Sequence, residues 1–366
     1  MLFRSRLRET SLWPRVGWIY GTSAGALSGC MAALDRLDDL ERFLYQLRPE
    51  ETFRPNRLWR LPLLGLHDYA LPRTIAERIG DPVEIARDLA AADRELVVVA
   101  TDVTSATPAG DDMQYELVYS SKETPPEEMM QAVLASAAIS AMVLPLRVGN
   151  RIATDGAWVR NYPLCHAYDH PEVETIVAFR YMPKYPQLGA AGLQTLRKRL
   201  SRFERVPPIR AFIGELREAE ERDRRGEPAH LGEMIVRLNR AAIMRNTILE
   251  EETADARDSS LREFDALRED VVALVREQVG RSGRAGVTRA VEERFDAASF
   301  PFRRGRAVRR ITIRGSVGEI SLEPGFRRQK PWTVEEKRSI VARGYELADR
   351  ELQAAGVGRE AVGASG

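Results

Sequence analysis

Histidine and cysteine are both scarce in this chain: its 366 residues hold four of the first and two of the second. Cys30 and Cys165 stand apart and belong to no CxxC or His-linked pattern, which excludes a disulfide scaffold and a zinc site and fits a reducing compartment. Net charge is nearly absent as well. The balance of 55 Lys+Arg against 54 Asp+Glu gives no reason to expect a nucleic-acid partner. Long hydrophobic runs are also missing. The opening "MLFRSRLRETSLWPRVGWIYG" has no continuous apolar core or small-residue cleavage site, so no signal peptide is expected. The most apolar stretch, "MMQAVLASAAISAMVLPL", is rich in small residues and broken by a proline, and reads as buried helix plus loop. What remains is a hydrophobic content of 44%, enough for a globular core, and a cytoplasmic location with at most peripheral contact with a membrane.

From Val16 to about Tyr181 strand-like and helix-like segments alternate, which predicts an α/β layer architecture. Strands are predicted at Val16 to Tyr20, "ELVVVATDV", "MQYELVYSS", "RIAT" and "VETIVAFR". Between them "ALSGCMAALDRLDDLERFLYQL", "TIAERIG", "DPVEIARDLAAA" and "TPPEEMMQAVLASAAIS" have helical spacing. Four regions follow. Residues 1–182 form an α/β core, 183–303 a highly charged helical insertion or lid, 304–353 a final strand and helix, and 354–366 a disordered tail. Within the charged region two apolar stripes recur at helical spacing and are expected to pack: Leu261, Phe264, Leu267, Val271, Leu274, and Leu231, Met234, Ile235, Leu238. A membrane-facing or partner-facing role is the lesser alternative.

Gly21-Thr22-Ser23-Ala24-Gly25 has the G-x-S-x-G form of a nucleophile elbow. A strand must turn into a helix so sharply that the serine is strained, and the glycines two places to either side are expected to let the backbones pass. The turn sets Ser23 at the start of the helix beginning with Ala24, where free N–H groups and the helix dipole favour a developing negative charge. A serine hydroxyl needs a base, and no histidine stands out. His67 lies in a proline-rich loop, His166 and His170 flank a tyrosine and an aspartate, and His230 sits in the charged region. Each is expected to be structural. Asp155, in "NRIATDGAWVRNYPL", is the stronger candidate: it ends a short strand and precedes Gly156, whose backbone can approach another element closely. In isolation the same dipeptide is a tight turn.

"GTSAGAL" together with "ASAAISAMVLPLRVGNRIATDGAWVRNYPL" resembles the patatin-like phospholipase family, over about Val16 to Tyr181 and more weakly through "ITIRG" and "VARGYELADREL". The resemblance implies a three-layer α/β/α fold with a mostly parallel central sheet. It also implies a Ser-Asp pair without histidine, with Ser23 as nucleophile and Asp155 as base, Gly21, Ala24 and Gly25 forming the elbow and oxyanion side, and Gly156 supporting the aspartate loop. The implied reaction is acyl transfer from a lipid or phospholipid ester through an acyl-enzyme, with no cofactor and no metal. An aspartate near its ordinary pKa of about 4 is a poor base, so burial is expected to raise it.

One departure from the family is plain. Its glycine-rich oxyanion loop has no counterpart in the residues before Ser23, and losing such a donor costs about 3 kcal/mol in the transition state. Three explanations compete: truncation upstream, which is the expectation; donors from another segment; or a weak or inactive relative that binds a partner through its helices. A conventional α/β-hydrolase needs several strands before the elbow and a histidine late in the chain, and neither is here. The arginines of "FRRGRAVRRITIRG" (Arg303, Arg304, Arg306, Arg309, Arg310, Arg314) could meet anionic headgroups, although a solvated loop leading into an edge strand accounts for them better.

Overall fold

The computed structural model describes residues 4–56, 67–104, 115–139, 143–170, 172–181, 197–198, 200–225, 227, 231–278, 284–296, 308–315 and 333–358. Strand β1 (Trp18–Thr22) runs into helix α1 (Ala24–Ala33). The long stretch read as one helix is in fact two. Asp35, at φ 55°, breaks it, and α2 (Leu37–Gln46) follows. A small hairpin, β2 (Phe53–Pro55) with β3 (His67–Tyr69), precedes α3 (Leu71–Arg78) and α4 (Pro82–Ala91). Helix α4 starts where Asp81 accepts from the Val83 and Glu84 amides, with Pro82 in the first helical position. Then come β4 (Glu95–Asp102), β5 (Glu116–Ser120), α5 (Pro126–Ser136), the hairpin β6 (Leu146–Val148) and β7 (Arg151–Asp155), two short helices α6 (Ala157–Arg160) and α7 (Leu164–Asp169), and β8 (Thr175–Tyr181). Helices α8 (Pro207–Arg224), α9 (Leu231–Gln278) and α10 (Arg284–Asp296) follow. Strand β9 (Arg309–Gly315) and helix α11 (Val334–Ala354) close the described chain, the latter started by a reciprocal cap between Thr333 and Glu336.

The apolar run of β4 is buried along most of its length, and it organises the sheet. Its register with β1 covers residues 95–99, with β5 97–101 and with β7 100–102. The overlaps leave one solution: β5 lies on one edge of β4, while β1 and β7 share the other, end to end. Among the described residues this five-stranded sheet has four ladders, of which only β1–β4 is parallel, so the sheet they form is mixed and not mostly parallel as expected. The hairpin β6–β7 is the cause, because it returns β7 antiparallel to β4.

Strands β8 and β9 form a separate parallel pair. Ile19 belongs to the same apolar cluster as Val177, Phe179, Ile311 and Ile313, whereas Tyr20 packs with Ile176 and Ala178. The alternation places β1 and β8 in one layer. Their leading ends are joined by Arg15–Glu174 at 3.8 Å and by the Trp18 and His170 rings, 3.9 Å between centroids. Among the described residues no ladder joins the two strands.

Helix α9 meets the apolar-stripe expectation only in part: Leu261 is buried and Phe264 packs on Phe295 of α10, 5.5 Å between ring centroids. Leu267 and Leu274 are 54% and 56% exposed and Leu238 61%, while Leu261 and Val272 are buried. The middle of the helix docks through polar groups instead. Asn246 donates to the Trp158 carbonyl, Thr247 accepts from Asn161, and Glu250 takes both the Arg160 guanidinium and the Cys165 N–H. The next residue, Glu251, meets Arg180, and about two turns on Asp258 accepts from Tyr168. Replacing Glu250 by alanine leaves the Cys165 amide unpaired and strips a carboxylate from half-buried Arg160. It is expected to cost about 2–3 kcal/mol in urea denaturation. The exposed Glu269→Ala control should change stability by less than about 0.5 kcal/mol.

Candidate active site

The elbow is built by close approach. A Cβ on Gly21 would lie 2.6 Å from the Gly25 carbonyl oxygen and 2.8 Å from the Ala26 Cα, so only glycine lets β1 fold back on α1. Gly25 has open space where its Cβ would be, so the steric demand expected of both glycines falls on Gly21 alone. Ser23 at the corner has φ 56° and ψ −132°, a strained conformation for a residue with a side chain. Ala24 opens α1 and is exposed, with its N–H among those that have no partner inside the helix.

The sheet register brings the second group to this corner. Thr22, the last residue of β1, pairs with Val99, and Asp155, the last residue of β7, pairs with Ala100. Because β1 runs parallel and β7 antiparallel to β4, their carboxyl ends converge on consecutive positions of one edge. Ser23 donates its hydroxyl proton to Asp155 Oδ2 at 2.7 Å. The other carboxylate oxygen, Oδ1, accepts from the Ala157 N–H at 2.8 Å. Asp155 is buried, and burial pushes its pKa up to about 6, against the two hydrogen bonds that favour the charged form. Behind it a Cβ on Gly156 would stand 2.2 Å from the Val99 carbonyl oxygen, so this glycine is a close-packing requirement rather than a turn residue.

Residues that sequence reasoning had not singled out hold the pair in place. Thr101 donates to the Asp155 carbonyl at 2.7 Å, and the Asp155 N–H donates to the Ala138 carbonyl at 3.1 Å. Thr22 donates to the Arg160 carbonyl at 2.9 Å. The Ser23 N–H donates to Ser136 Oγ at 2.9 Å. Burial, and after it the nearby Asp155 charge, pushes the Tyr69 phenol up, and its hydroxyl donates to the Leu134 carbonyl. Further out, Arg160 clasps both oxygens of Glu116 at 2.6 and 2.8 Å. Burial alone would raise the Glu116 carboxyl, but hydrogen bonds from His166 and Arg160 bring it down to about 2.

The described histidines sit elsewhere. His166 Nε2 is 2.7 Å from Glu116, His170 packs tilted against Trp18, and His67 opens β3 beside Phe53 rather than lying in a loop. His230 falls outside the described residues, as do Arg303, Arg304 and Arg306. The described arginines of that run are engaged: Arg310 with Asp255, Arg314 with Glu251, and Arg309 with the Ala355 carbonyl.

A serine on a strained strand-to-helix corner, bonded to a buried aspartate at the end of a neighbouring strand in a mixed sheet, defines an α/β protein with a two-residue Ser-Asp site. Residues 14–168, a segment that carries both residues, match the family model described as Patatin-like phospholipase. No curated protein matches the chain. Among the described residues no helix is long and apolar enough to cross a membrane.

Proposed function

We propose that the protein is a lipid acyl hydrolase that cleaves carboxylic esters through an acyl-enzyme on Ser23, with Asp155 as general base. The observation that carries this reading is the 2.7 Å hydrogen bond from the Ser23 hydroxyl to a carboxylate whose proton affinity is raised by burial. Asp155 Oδ2 takes the proton as Ser23 Oγ bonds to the ester carbonyl carbon. The carbonyl oxygen becomes an oxyanion facing the start of α1, where the Ala24 N–H donates. As the tetrahedral adduct collapses, the carbon–oxygen bond to the alcohol breaks and Asp155 returns the proton to the leaving oxygen. Water then repeats the sequence on the acyl-enzyme, and Asp155 again takes and returns one proton. Direct contact makes a third, orienting residue unnecessary. The substrate is a lipid or phospholipid acyl ester, met by a cytoplasmic protein through peripheral contact with the membrane. Residues 1–182 and 304–353 form the core, 183–303 is a charged helical insertion, and 354–366 is a tail.

The second reading is a catalytically weak relative that presents its helices to a partner. It is favoured by the exposed Leu238, Leu267 and Leu274 of α9, apolar side chains open to a partner. A fluorophosphonate probe separates the two. The hydrolase reading expects covalent labelling of the wild type at Ser23 and none of Ser23→Ala. Labelling that is absent from the wild type, or equal in both, contradicts it and favours the scaffold.

A further inference from the structure

The carboxyl end of α5 touches the backbones of both members of the pair. Ser136, its last residue, is fully buried. Its hydroxyl oxygen accepts from the Ser23 N–H at 2.9 Å, and its proton goes to the Val99 carbonyl at 2.6 Å. Two residues on, the Ala138 carbonyl accepts from the Asp155 N–H at 3.1 Å and from the Thr154 hydroxyl at 2.9 Å. One short turn thus grips the residue that supplies the hydroxyl and the residue that supplies the carboxylate, and ties both to β4, where Val99 and Ala100 are adjacent.

We propose that Ser136 is a positioning residue for this reaction: its hydroxyl fixes the backbone of Ser23 in the strained corner so that Oγ stays on Asp155 Oδ2. The inference rests on Ser23 as nucleophile. Its logic is geometric. A backbone at φ 56° and ψ −132° persists only when its surroundings over-determine it, and Gly21 supplies room but no force. The bond from the Ser23 N–H to Ser136 supplies the restraint. Ser136 is in turn oriented, because its single proton is committed to Val99 and its lone pairs are left facing Ser23. The same bond withdraws the Ser23 amide from any oxyanion. Ser136 touches neither the Ser23 hydroxyl nor the carboxylate oxygens, so it acts through the nucleophile's main chain.

The test compares Ser136→Ala and the near-isosteric Ser136→Cys with the wild type on a short-chain p-nitrophenyl ester. Rates are normalised to the fraction of Ser23 that a fluorophosphonate labels. A loosened corner is expected to lower kcat per labelled site about 10–100-fold in the alanine variant, with KM within about threefold, since a small misplacement of the reacting atom is enough. The cysteine variant, whose thiol is a weaker hydrogen-bonding group, should fall in between, and the pH midpoint of the rate should stay where the wild type has it. A purely structural role instead predicts fewer labelled sites with unchanged kcat per site, and that result overturns the proposal. Should the alanine variant not fold, wild-type kcat per site in the cysteine variant overturns it equally. Full activity in Ser23→Ala would instead remove the underlying hydrolase reading, a different and separately visible outcome.

Discussion

Asp155→Asn is expected to lose activity and gain stability at the same time. The carboxamide keeps the shape of the site and can still accept from the Ala157 N–H, but it cannot take the Ser23 proton, so kcat should fall about 10²–10⁴-fold. The stability effect has the opposite sign. In the folded protein the Asp155 pKa is about 6, against 3.8 for the free group. Between those values the native state keeps a proton that the unfolded chain has released, so the Asp155 contribution to stability is most favourable below about pH 4 and declines as pH rises towards 6. Above that, the wild type carries a buried carboxylate in full. Asparagine removes this cost, so urea denaturation at pH 8 should show the variant more stable by about 1–3 kcal/mol, and at pH 4 the difference should vanish. A variant destabilised equally at both pH values would mean that the carboxylate is not held against its preference.

Gly156→Ala is expected to be the most damaging single-methyl change in the site. The backbone at Gly156 has φ −71° and ψ −12°, which alanine adopts freely, so conformational strain plays no part. The obstacle is the Val99 carbonyl oxygen, 2.2 Å from the new Cβ. That oxygen cannot yield cheaply, because it belongs to the central strand and accepts the Ser136 proton. Either β7 moves off β4 or the chain after Asp155 is displaced, and both pull the carboxylate from Ser23. A loss of at least about 3 kcal/mol and of nearly all labelling at Ser23 is expected. Gly25→Ala, made into open space, should keep wild-type folding. Equal melting temperatures for the two variants would contradict this account of the packing.

The contrast between these two glycines shows what the chain makes legible. Gly21-Thr22-Ser23-Ala24-Gly25 announces a corner, but which glycine is indispensable depends on the angle at which β1 meets α1, and no local pattern carries that. Strand β4 reads plainly because both its faces are buried and its apolar run is unbroken. The direction of β7 does not, and with it goes the expectation of a mostly parallel sheet. The turn at Gly149-Asn150, with Gly149 at φ 56°, was the available signal, since a two-residue turn of this kind joins antiparallel strands. It lay hidden because β6 reads as the tail of an apolar stretch. The aspartate was found from its strand-end position next to glycine. Ser136 was not, since one serine among alanines has no signature until the chain folds over it.

Helix α9 was legible only in part, for a chemical reason. Its anchoring positions, Asn246, Thr247, Glu250, Glu251, Asp255 and Asp258, recur at helical spacing around the buried Ala254, and all six are polar. A template that scores only apolar residues sees the opposite faces, which carry the exposed Leu267 and Leu274. The partners of those anchors, Trp158, Arg160, Cys165 and Tyr168, follow Asp155 within a few turns, so the charged helix braces the segment that leads away from the site.

The most direct measurement is the rate at which a fluorophosphonate labels Ser23 between pH 4.5 and 8.5, followed by intact mass and by mapping of the modified peptide. A hydroxyl activated by the buried carboxylate should label faster as pH rises, along a single limb with its midpoint near 6, and the limb should disappear in Asp155→Asn. Labelling that does not change across this range, or that proceeds in Asp155→Asn at the wild-type rate, would contradict the assignment of Asp155 as the base.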